Sequence, residues 1–104
     1  MNIVRNSTIL ALAISLTGAM SFAQSSGEAV YKAKCQMCHG ASGTPSPGMA
    51  KAMGIKPVSD PSIKKLSVEE VEATVKNGKG KMKPVAGLSD AQVKAVAAYF
   101  KTLK

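Results

Sequence analysis

Apolar positions in this chain recur at helical spacing in three separate stretches, and nowhere do they alternate for the length of a convincing strand. Ala29, Val30 and Ala33 give an apolar side to a first helix predicted over Gly27 to Met37. Val68, Val71 and Val75 are spaced to share one face of a second, Ser67 to Asn77. Val93, Val96, Ala97, Phe100 and Leu103 form the stripe of a third, Ser89 to Leu103. Ser67 with Glu70, and Ser89 with Gln92, stand at the spacing of capping boxes. Glu69 and Glu70 suit the positive end of a helix, and Gly78 can end one. Between these stretches, Gly40 to Pro61 is rich in Gly, Pro and Ser and reads as loop, with one helical turn at Met49 to Met53. Gly78 to Gly87 is a second loop. The pattern predicts an all-α domain of three or more short helices joined by long loops. Loops of this length in a small domain need something to wrap, and a large buried cofactor would serve.

The first residues carry a different pattern. Arg5 precedes an uncharged apolar run from Ile9 to Ala19, and Ser21-Phe22-Ala23 sets small residues around a bulkier one. This is the layout of a secretory signal peptide with cleavage after Ala23. The run is about half of the ~20 residues a spanning helix needs, so a retained membrane anchor is not expected. No Cys follows it to take a lipid. The expected organisation is therefore a signal peptide over 1–23 and one domain over 24–104. Arg5 leaves with the leader, taking the net charge from +8 to +7 and leaving lysine as the only basic residue type.

Length and composition limit what the domain can be. At 104 residues, 45% of them hydrophobic, the chain holds one globular domain. Its two cysteines cannot form a disulfide-rich scaffold or a four-thiolate metal site. A domain this small often needs a staple, which can be a disulfide, a metal or a cofactor.

The chemistry is concentrated in Cys35-Gln36-Met37-Cys38-His39, the C-x-x-C-H pattern of covalent c-type haem attachment. Thiols three positions apart lie on one side of a helical turn and can reach both vinyl groups of one porphyrin. The adjacent imidazole is then placed to bind iron. A C-x-x-C pair can also be a disulfide or a thioredoxin-like redox motif, but that fold needs βαβ units, which are missing here. A zinc site would fall one ligand short.

Gly27, Tyr31, Cys35, Cys38, His39 and Gly40, at their spacing, resemble the start of a class I cytochrome c of the small bacterial monohaem type. Gly78-Lys79-Gly80-Lys81-Met82-Lys83-Pro84 resembles that family's axial-methionine loop, and Leu88 to Phe100 its last helix. The resemblance spans nearly all of residues 24–104. It implies the cytochrome c fold, with three to four short helices and long loops wrapped around one haem c. It also implies one-electron transfer without substrate turnover, so not an enzyme. Cys35 and Cys38 would bind the haem, with His39 and Met82 as iron ligands.

The choice of methionine also has support in the residues. Met37 lies between the attachment cysteines and cannot reach the other face of the ring. Met49, Met53 and Met82 remain. Met82 sits in a glycine-flanked loop, where Gly78 and Gly80 tolerate backbone angles that other residues avoid. Met49 and Met53 are expected to pack beside the ring. Many relatives have proline directly after this methionine, whereas Lys83 intervenes here before Pro84. The family also implies a proline carbonyl accepting from the His39 ring, Pro47 first and Pro45 second. Gly27, Tyr31, Tyr99 and Phe100 are expected where the first and last helices cross. With a single His, bis-histidine ligation within one chain is impossible.

Lys76, Lys79, Lys81 and Lys83 crowd the Met82 loop. They predict a basic face that docks on an acidic patch of a redox partner protein. Nucleic acid is not an expected partner, because residues 24–104 carry no Arg and few aromatics. The expectation is a soluble, monomeric, periplasmic electron carrier of a respiratory chain. Other readings are a haem-bearing subunit of a larger oxidase or dehydrogenase, a thiol-disulfide oxidoreductase, and a haem sensor or weak peroxidase.

Overall fold

The computed structural model describes residues 17–104, with side-chain environments from Ser26 onward. Most of the expected leader, Arg5 and the greater part of the apolar run included, lies outside the described residues. Among those described there are six helices: α1 Thr17–Lys34, α2 Gln36–His39, α3 Pro47–Met53, α4 Pro61–Lys64, α5 Val68–Asn77 and α6 Asp90–Phe100. The only strand-like pairing described is an isolated antiparallel bridge, Lys79 with Met82. Among the described residues no helix is long and apolar enough to cross a membrane.

The three predicted helices are present with shifted ends. α1 is already helical at Thr17, the first described residue, rather than beginning at Gly27, and it runs through the expected cleavage position at Ala23, since no proline interrupts it. It is interrupted after Lys34, where Cys35 keeps a helical ψ of −35° but its φ widens to −117°. The Cys35 carbonyl then accepts from both Cys38 N–H, at 3.2 Å, and His39 N–H, at 3.0 Å. The attachment sequence is thereby set off as its own turn, α2.

The caps follow the sequence closely but not completely. Ser89 and Gln92 form a full box, with Ser89 N–H donating to Gln92 Oε1 at 2.8 Å and Gln92 N–H to Ser89 Oγ at 3.1 Å. Ser67 Oγ accepts from Glu70 N–H at 3.1 Å, but the Glu70 carboxylate does not reach back. That box is half made, and the exposed carboxylate stays with water.

The Gly40–Pro61 stretch holds more helix than predicted. Prolines there mark helix starts as well as turns: Pro47 opens α3 behind the Ser46 cap, and Pro61 opens α4 behind Asp60. Asp60 Oδ1 accepts from Ser62 N–H at 2.9 Å and from Ser62 Oγ–H at 2.6 Å. These bonds hold the carboxyl below its usual range. The short helices α2 and α4 account for the excess over the three or four expected.

α6 packs on α1 and on α5. The core is Val30, Tyr31, Val75, Val93 and Val96, with Tyr99, Phe100 and Leu88 among the partly buried side chains against it. Gly27 sets the depth of the α1–α6 crossing. A Cβ there would collide with the Ala95 carbonyl oxygen and stand 2.8 Å from Tyr99 Cβ. Tyr31 meets Tyr99 across the crossing with ring centroids 5.4 Å apart. The expected crossing residues do lie at that contact, and Ala95 joins them.

Candidate functional site

The α1–α6–α5 core forms one wall of an apolar pocket, and the loops close the other. The pocket is lined by Tyr31 near the end of α1, Cys35 between α1 and α2, His39 in α2, Val75 of α5, Val96 of α6, and Met82. A cleft of about 750 Å³ adjoins it, sharing Cys35, His39, Met82, Thr74 and Phe100 and adding Cys38. A volume of that size is what enclosed organic ligands occupy. All four residues singled out in the sequence, Cys35, Cys38, His39 and Met82, therefore face one cleft.

Each is held by a local device. Cys35 and Cys38 are half-buried free thiols at the start and within α2. Burial, with a smaller effect of the nearby Cys38, pushes the Cys35 thiol up. His39 is half-buried, and burial lowers its pKa, which favours the neutral imidazole. Neutral imidazole is the form that offers a lone pair to a metal. Its ring stands edge-on to Phe100, with centroids 5.9 Å apart and planes at 77°.

Met82 is presented by a tight turn. Lys79 N–H donates to the Met82 carbonyl at 2.9 Å and Met82 N–H to the Lys79 carbonyl at 3.0 Å. Gly78 precedes the turn at φ +75°, where a Cβ would sit 2.6 Å from the Met82 carbonyl oxygen and 2.8 Å from Pro84 Cδ. Lys83 between Met82 and Pro84 does not prevent this packing, because Pro84 still closes against Gly78. Two further bonds fix the loop: Val85 N–H to the Val75 carbonyl at 2.9 Å, and Lys81 Nζ to the Ala52 carbonyl at 2.9 Å.

Other expected positions separate. Met37 is 87% exposed, away from the cleft. Met53 lines the cleft, and Met49 does not. Pro47 is exposed at the start of α3, whereas Pro45 is buried. A Cβ on Gly40 would lie 3.4 Å from Pro45 N, so Pro45 is the proline beside the His39–Gly40 segment.

Lys79, Lys81 and Lys83 line the cleft as the loop pattern suggested. Lys34, Lys56 and Lys65 complete the set, and none of the six Asp and Glu residues lines it. These three came from separate segments, so no local run of charge marked them. Lys76 stands elsewhere, paired with Asp90 at 3.2 Å. Leu66 and Thr74, also on the walls, carried no sequence signal beyond their place near the second helix.

A helical chain wrapped around an apolar cleft, with two thiols, an imidazole and a methionine facing into it, is the architecture of a class I c-type cytochrome. The solved structure of the KustC0563 c-type cytochrome is similar to it, with a TM-score of 0.66 at 26% identity, covering 75% of this chain and 96% of that one. Residues 22–100 match the family described as cytochrome C oxidase, cbb3-type, subunit III, and the chain belongs to that family. No curated protein matches it. Its cofactor is covalently bound haem c, and its work is electron transfer.

Proposed function

We propose that this cytochrome is an exported, soluble one-electron carrier in which Cys35 and Cys38 hold the haem by thioether bonds and His39 and Met82 ligate the iron. One observation carries the reading: side chains from the α1–α2 segment and from the Met82 turn, far apart in sequence, line a single cleft. The residues fit the group. The thiols lie one helical turn apart, burial favours the neutral imidazole, and the walls are mostly aliphatic and aromatic. When bound, haem supplies a one-electron ferric/ferrous couple. The chain's own part is to bind the group and to exclude water, and His39 and Met82 would hold its iron. Methionine and histidine ligation raises the potential relative to harder ligands. With His39 and Met82 both holding the iron, no position would be left for dioxygen or peroxide, which favours a carrier over a catalyst.

Replacing Met82 with Ala tests the ligand. The weak far-red absorption of ferric methionine–iron ligation is expected to vanish. Its persistence in Met82→Ala, with loss instead in Met53→Ala or Met49→Ala, would contradict the assignment.

The six lysines at the cleft support docking on an acidic face of a redox partner, after export and removal of 1–23 in a periplasm-like compartment. Transfer rates to an acidic partner are expected to fall as ionic strength rises through the range where the Debye length drops from about 30 Å to about 8 Å. A flat rate across that range would count against lysine steering.

The family's description favours a second reading, a haem-bearing subunit of a cbb3-type oxidase. Co-purification with such an oxidase, rather than isolation as a free monomer, would select it.

A further inference from the structure

The α1–α6 crossing brings aromatic side chains from both helices onto the turn that carries the only histidine. Tyr31, near the end of α1, is 1% exposed. Its hydroxyl donates to the Gly40 carbonyl oxygen at 2.5 Å. Gly40 directly follows His39, and the backbone donor to that carbonyl, Gly43 N–H, stands at 3.3 Å. Phe100, the last residue of α6, sets its ring against the His39 imidazole in a T-shaped contact. Tyr31, Phe100 and His39 share the walls of the apolar pocket.

The turn itself supplies little of this order. α2 is four residues long, and Cys35 at its start provides no side-chain cap. A helix so short is not stable by its own hydrogen bonds. The imidazole is attached by rotatable bonds, so its plane is set by what it packs against. Aromatic rings hold preferred mutual angles, so Phe100 can define that plane where an aliphatic side chain would not.

We propose that Tyr31 and Phe100 are positioning residues for His39: Tyr31 fixes the backbone at the end of the turn through the Gly40 carbonyl, and Phe100 fixes the plane of the imidazole. The proposal rests on the reading of His39 as an iron ligand. It gives the helix crossing a second role, since the two helices that stabilise the fold also orient the ligand.

Tyr99 supplies the control. It packs on Tyr31 in the same crossing but does not line the pocket or the cleft. The test uses the ferric holoprotein and reads the g-anisotropy of the low-spin iron, which depends on the orientation of the axial imidazole. Tyr31→Phe and Phe100→Leu are expected to keep covalent haem and the far-red band, with shifted and broadened g-values. Phe100→Tyr keeps a ring and is expected to restore the wild-type signal. Tyr99→Phe is expected to leave the signal unchanged even where it lowers the melting temperature. Wild-type g-values in both Tyr31→Phe and Phe100→Leu would overturn the proposal, as would an equal shift in Tyr99→Phe. A second measurement needs no variant. In the ferrous wild type, nuclear Overhauser contacts should join the Phe100 and His39 ring protons, and their absence would overturn the Phe100 half even if Phe100→Leu failed to fold. Failure of the underlying ligand reading looks different, because the wild type itself would then lack the far-red band.

Discussion

Tyr31 concentrates several forces in one side chain. It is among the largest fully buried residues, and its ring packs on Tyr99. Its hydroxyl is satisfied by the Gly40 carbonyl, which removes the cost of burying an unpaired donor. Burial, then the neighbouring Cys35 and Tyr99, pushes the phenol from 10.0 up to about 12. The unfolded chain therefore releases this proton at lower pH than the folded one. The stability supplied by the neutral phenol is full below pH 10.0 and is lost as pH climbs through about 12. Denaturant titrations across that window should fall more steeply for wild type than for Tyr31→Phe, and parallel curves would contradict the linkage. Sequence reading placed Tyr31 at the crossing but gave no sign of its hydroxyl's partner. That bond depends on where Gly40 comes to rest, which the chain fixes only once α1 and α2 are docked.

Among the helices, capping and periodicity carried most of the information, and tertiary contact supplied the rest. Ser89 with Gln92 made the box the spacing predicted, because both side chains can satisfy backbone donors locally. Gly27 was legible as a point of close approach, and the structure gives it a definite neighbour in the Ala95 carbonyl. Gly27→Val should therefore cost about 1–3 kcal/mol by overpacking. For a domain of this size that is a melting temperature lower by roughly 4–8 °C per kcal/mol. An unchanged melting curve would remove Gly27 from the crossing. What stayed hidden was the break at Cys35, where neither Gly nor Pro marks the end of α1. The helical use of Pro47 and Pro61 was hidden as well, since proline serves equally at a turn or at a first helical position. Met82's turn was legible from its glycines, but its pinning by Lys81 to the Ala52 carbonyl was not.

At the scale of the whole molecule, one cleft organises the fold. The longer helices α1, α5 and α6 form the apolar wall, α2 and its cap Cys35 carry the paired thiols and the imidazole, and the Met82 turn closes over them. The attachment motif was legible because its chemistry needs a fixed local spacing. The walls were not, because Leu66, Thr74 and Phe100 converge only through the packing of separate elements. The lysine collar divides the same way: Lys79, Lys81 and Lys83 were adjacent in sequence, while Lys34, Lys56 and Lys65 join them only in space. Asp90, remote from the collar, instead takes Lys76.

The central claim is that Cys35 and Cys38 hold a haem covalently in this cleft. The most direct measurement is the reduced absorption spectrum of the purified protein after denaturation and extraction of loose haem, for wild type and for Cys35→Ala with Cys38→Ala. The account predicts sharp reduced α and β bands that stay with the wild-type polypeptide and are lost from the double variant. Haem that washes out of the wild type, or two titratable thiols in the purified protein, would contradict it.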